Sequence, residues 1–245
     1  MNKIIRGRNA NTKKVKALFI AQVAMGVTPV LLLSFFVWKR LYNTPAVAFV
    51  FIILIFLCNV AYAVLARSYA VLNSGVKGER QLFRIVKKLH GTNIVFHNLP
   101  VRYKRGRSEL DMLIICHAGV LIIEVKNHSG TISGSWNDEK WTQRKHYRDG
   151  KVTETFMDNP IKQMRRQRDI VKSILCAAGE DVWIDSVLYF SSPNARLKLS
   201  LRENDYVCSE SAELLDFLKS YERGETLSKT RMENIARILR ESSGI

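Results

Sequence analysis

Two long stretches of this chain contain no charged residue, Ala17 to Trp38 and Ala46 to Ala66. Each is long enough for a helix that, at ~1.5 Å rise per residue, crosses a hydrocarbon core of ~30 Å. Gly26, Pro29 and Asn59 fall inside the runs, which a membrane helix tolerates because its backbone groups are mostly paired internally. The short link from Lys39 to Pro45 joins the runs into a tight hairpin. A signal peptide has a shorter apolar region and a cleavage site rather than a second full span. Core helices of a soluble protein keep polar residues on one face, and these runs have almost none. The sequence therefore predicts a two-helix transmembrane hairpin, with spans 17–38 and 46–66, meeting the lipid bilayer through residues 17–66.

Charge gives the hairpin a direction. Lys3, Arg6, Arg8, Lys13, Lys14 and Lys16 precede the first span, Arg67, Lys77 and Arg80 follow the second, and only Lys39 and Arg40 lie between. The bias of Lys and Arg toward cytoplasmic flanks predicts a multi-pass protein of the cell inner (cytoplasmic) membrane, with both termini and the soluble domain cytoplasmic. Residues 1–16 read as a basic N-terminus. No acid precedes Glu79, so residues 1–66 and 67–245 each hold half of the +16 net charge. The cysteines agree with a reducing compartment: Cys58, Cys116, Cys176 and Cys208 are far apart, with neither a disulfide framework nor zinc-ligand spacing. They read as small buried apolar side chains.

From about Arg67 the pattern becomes mixed α/β. Val76, Glu79, Leu82, Phe83, Val86 and Leu89 recur at helical spacing and predict a helix over 75–90. Strands are expected at 94–99, 110–116 and 120–126, and turns with a short strand over 130–141. Asp158-Asn159-Pro160 supplies a helix start; that helix runs to about Ala178 and stops at Gly179. Residues 183–190 are β-rich, and two helices are expected at about 210–222 and 228–241. Helix, strands, helix and strand in that order predict one α/β core over 67–245.

The chemistry lies in the hairpin 110–126. With a turn at His117-Ala118, Ile115 faces Val120 and the register sets Asp111 opposite Glu124 on one face, Cβ atoms ~5 Å apart. Two like charges at the end of an otherwise apolar hairpin are costly, and a hard divalent cation with oxygen ligands suits them. Side chains alternate along a strand, so Lys126 shares the face of Glu124. A lysine there can position an attacking water or hold charge on a scissile phosphate. Glu79 lies in the apolar stripe of its helix, where a carboxylate needs a metal or cationic neighbour. Each residue alone has a plainer reading: a solvated strand end, a surface strand start, a helix N-terminal charge.

Together these residues resemble a family. Gly75-Val-Lys-Gly78-Glu79, Glu109-Leu-Asp111, Gly119-Val-Leu-Ile-Ile-Glu124-Val-Lys126-Asn127 followed by Gly130, and Asn159-Pro160 with Gln163 on the next helix look like the nuclease-related domain (NERD) over about 73–190. That family is grouped with the PD-(D/E)xK nuclease-like superfamily. The resemblance implies a restriction-endonuclease-like α/β fold, a mixed sheet flanked by helices in αβββαβ order. It implies Asp111 and Glu124 as metal ligands, Glu79 as the helical acid of the site, Lys126 as the catalytic lysine and Gln163 as a polar site residue. The implied cofactor is Mg²⁺ or Mn²⁺, and the implied reaction is hydrolysis of phosphodiester bonds of nucleic acid, DNA above all.

Three clusters could meet nucleic acid. Arg102, Tyr103, Lys104, Arg105 and Arg107 precede the site strand, and Trp136, Trp141, Arg144, Lys145, His146 and Tyr147 mix aromatic with basic residues. Such groups suit phosphate contact and base stacking, and the first equally suits a solvated face or anionic headgroups. Arg165-Arg166-Gln167-Arg168 reads as helix solubility. The five histidines lack metal-ligand spacing, although His128 is near the site strand's end. Three roles stay open: a metal-dependent nuclease, a non-catalytic nucleic-acid- or protein-binding module tethered to the membrane, and a membrane-surface scaffold whose acids form salt bridges with Lys126.

Overall fold

The computed structural model describes residues 3–7, 10–41, 44–222 and 226–244. The elements in chain order are β1 (Lys3–Arg6), α1 (Ala10–Trp38), α2 (Pro45–Val86), β2 (Ile94–Tyr103), β3 (Gly106–Cys116), β4 (Gly119–Lys126), β5 (Gly130–Ser135), β6 (Lys140–His146) and β7 (Val152–Asp158). They continue with α3 (Pro160–Ala177), β8 (Ile184–Phe190), β9 (Ala195–Ser200), β10 (Tyr206–Cys208), α4 (Ser211–Lys219) and α5 (Lys229–Ser243). Two compact units result, Asn9–Val76 and Met1–Arg8 together with Lys77–Ile245.

In the first unit, α1 and the apolar part of α2 are long and apolar enough to cross a membrane. Ile20, Leu31, Phe49, Ile52 and Phe56 all point outward, each more than 60% exposed. Apolar surface on that scale calls for a lipid or protein cover. Thr28, Ser34 and Asn59 donate to the carbonyls of Ala24, Val30 and Ile55 four residues back, each at 2.8 Å. Their polar groups are thus satisfied within the helix, as a bilayer requires. Phe36 packs on Phe51 with centroids 4.9 Å apart, and Phe19 on Tyr69 at 5.7 Å.

The second unit is a mixed α/β domain. Its main sheet has the order β1-β2-β3-β4-β8-β10, with β3 antiparallel to both neighbours and the remaining pairs parallel. Helix α2 packs Leu82 and Val86 over Val95, Met112, Ile114, Leu121 and Ile123. On the other face, Val171 and Ile174 of α3 with Ile235 and Leu239 of α5 cover Phe96, Leu113, Ile115, Val120 and Ile122. Covered on both faces, β4 is apolar at every residue from Val120 to Ile123, as a central strand must be. The expected αβββαβ order appears as α2, β2–β4, α3 and β8. Strands β5–β7 are inserted before α3 and form a second sheet, β7-β6-β5-β9.

Several elements depart from the sequence expectation. The helix expected from residue 75 is the end of α2, which is unbroken from Pro45, so Gly75 and Gly78 do not mark a helix entry. Gly78 instead permits close packing: a Cβ there would lie 2.9 Å from Ser191 Oγ and 3.3 Å from Val125 Cγ2. Lys3–Arg6, read as part of a basic tail, form the edge strand β1 beside β2. The basic stretch 102–107 is not a linker but the tip of the β2–β3 hairpin, where Arg102 opposes Arg107. Cys176 is exposed rather than buried. Asn159 caps α3 by accepting the Ile161 N–H at 2.9 Å, with Pro160 in the first turn. Its amide donates to the carbonyls of Ser135, Trp136 and Asp138, which ties the cap to the second sheet.

Candidate active site

The β3–β4 turn sets the register that places the acids. Ile115 opposes Val120 and the pairing runs to Met112 opposite Ile123, where it stops. Asp111 and Glu124 are therefore not joined through their backbones, as a ladder extended one step would have it. Instead the Asp111 side chain occupies the next ladder position, its Oδ2 accepting the Val125 N–H at 2.8 Å. Burial, reinforced by the neighbouring Glu124 and more weakly by Glu79, pushes the Asp111 carboxyl well above the usual aspartate range. The Val125 N–H and the Lys126 charge oppose that shift only in part. Oδ1 of Asp111 makes no hydrogen bond among the described residues.

Glu124, 2% exposed, has both oxygens engaged. Its Oε1 accepts from Lys126 Nζ and from Gln163 Nε2, each at 2.7 Å, and its Oε2 from Gln167 Nε2 at 2.8 Å. Lys126 Nζ also donates to Gln163 Oε1 at 3.0 Å, closing a triangle. Gln163 and Gln167 lie one turn apart on α3 and face β4 together, the i, i+4 spacing of one helix face.

Gln167 is a site neighbour that the sequence did not single out. Placed in a basic run, it looked like helix solubility, yet it is wholly buried. Its amide donates to both Glu124 and the Glu109 carbonyl, 3.2 Å away, and its own Oε1 has no partner among the described residues. Four-residue spacing from Gln163 was the signal available. Arg165 forms a two-pronged pair with Asp205, both contacts 2.9 Å.

Glu79 is 7% exposed and accepts from Asn98 Nδ2 at 3.1 Å. Asn98 was also missed. It is 1% exposed and sits at φ +54°, a left-handed conformation that Asn tolerates better than most residues. The site thus joins Glu124, Lys126 and Gln163 directly and sets Asp111 beside them; Glu79 adds to the negative charge around Asp111 and is hydrogen-bonded by Asn98. Among the described residues no three His, Cys, Asp or Glu side chains gather closely enough to hold a metal, so the expected three-acid ligand set is not assembled. The residues nonetheless fit a hard divalent cation: Asp111 offers an open oxygen, and the Lys126 ammonium already stands against Glu124 where a cation is needed.

The nucleic-acid candidates divide. Arg102, Lys104, Arg105 and Arg107 are exposed on the hairpin tip. Trp141 is fully buried with Ile132, Ile161, Met164, Leu188 and Phe190, and its indole N–H donates to the Ser135 carbonyl at 2.8 Å. It is core and unable to stack on a base. Arg144 pairs with Glu154 across the β6–β7 ladder, 2.9 Å at Nη2. Trp136 is stacked under the Arg202 guanidinium at 3.5 Å. His128 contacts Gln143 Oε1 at 3.3 Å, and burial lowers its pKa. A groove of about 990 Å³ opens at the other end of β4, around Gly119, Arg168, Lys172 and Trp183, and none of the five expected site residues lines it.

Comparison with known proteins fits this geometry. Residues 74–191 match the family described as the nuclease-related domain. An uncharacterized protein of Bacillus anthracis is 35% identical over 71 residues, which is 28% of this chain and 34% of that protein. The chain thus spans about a third of the length of that curated relative. No solved structure matches.

Proposed function

We propose that this chain is a membrane-anchored, divalent-metal-dependent nuclease that hydrolyses phosphodiester bonds of nucleic acid, DNA in our reading, at the cytoplasmic face of the inner membrane. The observation that carries it is the meeting of Asp111, Glu124, Lys126 and Gln163 at one end of β4, inside the nuclease-related domain. Asp111 and Glu124, with Glu79 directly or through water, would hold Mg²⁺ or Mn²⁺. The ion would polarise the phosphate and lower the pKa of a water. Gln163 and Gln167 fix the Glu124 carboxylate by one donor on each oxygen. Lys126, once withdrawn from Glu124, would position the water or hold charge on the scissile phosphate. The exposed cations of the β2–β3 tip suit the flanking backbone.

Anchoring is supported by the two outward-facing apolar helices. The strand pairing supports the orientation: β1 precedes α1 yet pairs with β2, which follows α2. A chain between them that crosses a bilayer an even number of times would leave the N-terminus and the α/β domain on one side. The positive flanks favour the cytoplasm as that side.

The test is plasmid nicking at low salt by the full chain in nanodiscs, with Mg²⁺ or Mn²⁺. Cleavage is expected in the wild type and lost in Asp111→Ala and Lys126→Ala; metal-dependent cleavage unchanged in both refutes the reading. One observation favours the second reading, a tethered binding module: Arg102, Lys104, Arg105 and Arg107 all stand exposed on the β2–β3 tip. Retarded migration of the same plasmid without any nick would select it.

A further inference from the structure

We infer that the N-terminal strand is part of the catalytic apparatus: Gly7, at its end, seats Asn98, which is a positioning residue for Glu79. The inference rests on the nuclease reading for its consequence but on separate geometry. Strand β1 adds in parallel to β2, with Ile4 beside Val95 and Ile5 beside Phe96, and the Gly7 N–H then donates to the His97 carbonyl at 2.8 Å. At that point the chain passes so close to the Asn98 peptide that a Cβ on residue 7 would overlap the Asn98 carbonyl oxygen and lie 2.9 Å from its carbon. These are backbone atoms, so no side-chain rotation relieves the clash. Only glycine fits.

Asn98 is also where β2 breaks its own regularity. His97 opposes Met112 and Leu99 opposes Leu110, while Asn98 between them adopts φ +54°. A non-glycine residue in that region persists only where its surroundings over-determine it, and such residues cluster at functional sites. Here the turned backbone aims the amide at two acids, 3.1 Å from Glu79 Oε2 and 3.5 Å from Glu109 Oε1. A buried carboxylate facing Asp111 needs such a donor, and Asn98 supplies it without adding charge. A segment on the far side of both apolar helices in sequence thereby sets the position of the helical acid. Outer partners that orient a metal-site carboxylate are typically worth about 10- to 100-fold in metal affinity or activity.

Two variants of the full chain in nanodiscs test this. Asn98→Gly keeps the left-handed backbone and removes the amide, and Gly7→Ala displaces the backbone and leaves the amide. Each is expected to raise the Mn²⁺ concentration for half-maximal cleavage about 10- to 100-fold, with cleavage recovering at saturating Mn²⁺. A purely structural role would lower the folded fraction and leave that requirement alone. An unchanged Mn²⁺ requirement in both variants overturns the inference. A thermal double-mutant cycle needs no catalysis: Asn98→Gly combined with Glu79→Gln should lower Tm by less than the sum of the two, because the buried charge that wants the donor is gone. Strict additivity overturns the inference even in an active enzyme. A non-additive cycle in a chain that cleaves nothing upholds the positioning and removes the nuclease reading alone.

Discussion

The two sheets of the α/β domain carry charge in opposite ways. On the second sheet, Arg144, Glu154, Arg196 and Lys198 stand on the outer face, exposed, and Arg144 answers Glu154 directly across the ladder. On the main sheet, Asp111 and Glu124 stand just beyond the end of the β3–β4 pairing, whose paired residues are all apolar. An exposed ion pair is worth about 0–1 kcal/mol and its loss is barely felt. Buried carboxylates cost stability and mark places where charge is put to use. The contrast separates charge that solvates the fold from charge that, on the proposed function, serves a reaction.

The largest effect should follow Glu124→Ala. It strips Lys126, Gln163 and Gln167 of a shared acceptor, lowering stability on the order of 2–3 kcal/mol and cleavage about a thousandfold or more. Thermal unfolding and plasmid nicking read the two losses separately. Asp111→Asn should also abolish cleavage, yet move stability the other way. A carboxyl whose folded pKa is raised by burial and Glu124 makes the folded state hold its proton more tightly. Its penalty is absent below the unfolded pKa and complete above the folded one. In chelator, the variant should thus melt with the wild type in acid and increasingly above it as pH rises to neutral, a gain on the order of 1 kcal/mol. A variant that is less stable at neutral pH would break the contrast.

Smaller changes sharpen it. Gln167→Leu keeps the volume and removes a donor, and should cut cleavage about 10- to 100-fold with stability shifted by under about 1 kcal/mol. Arg144→Ala, on the outer face of the second sheet, should change Tm and cleavage hardly at all, about 0.5 kcal/mol at most. A large loss of cleavage there would return Arg144 to the nucleic-acid path.

The main sheet was legible because its signals are local and repeated. The apolar runs around a two-residue turn give the β3–β4 register, and Asn159-Pro160 gives the start of α3. The second sheet was not legible for the converse reason. Strand β7 is exposed at five of its seven positions, so no alternation marks it, and β6 turns a polar residue, Gln143, inward beside Trp141. Trp141 looked like a stacking residue because aromatic and basic neighbours on one strand belong to opposite faces. Glu79, Asp111, Glu124 and Lys126 stood out as residue types at a spacing, and Gln163 through the resemblance to the family. Asn98 makes its contact 19 residues away, which no local pattern encodes; Gln167 reaches 43 residues back to Glu124, and its one local mark is the four-residue spacing from Gln163. The continuity of α2 was hidden because an apolar span and an amphipathic segment share the same period.

Metal-dependent hydrolysis at this site requires that Asp111 and Glu124 take one divalent cation between them. Calorimetric titration of the full chain in nanodiscs with Mn²⁺ measures this directly. Saturable binding in the wild type, lost in Asp111→Asn and in Glu124→Gln and retained in Arg144→Ala, is the predicted result. No binding in the wild type, or equal binding in Asp111→Asn, would contradict it.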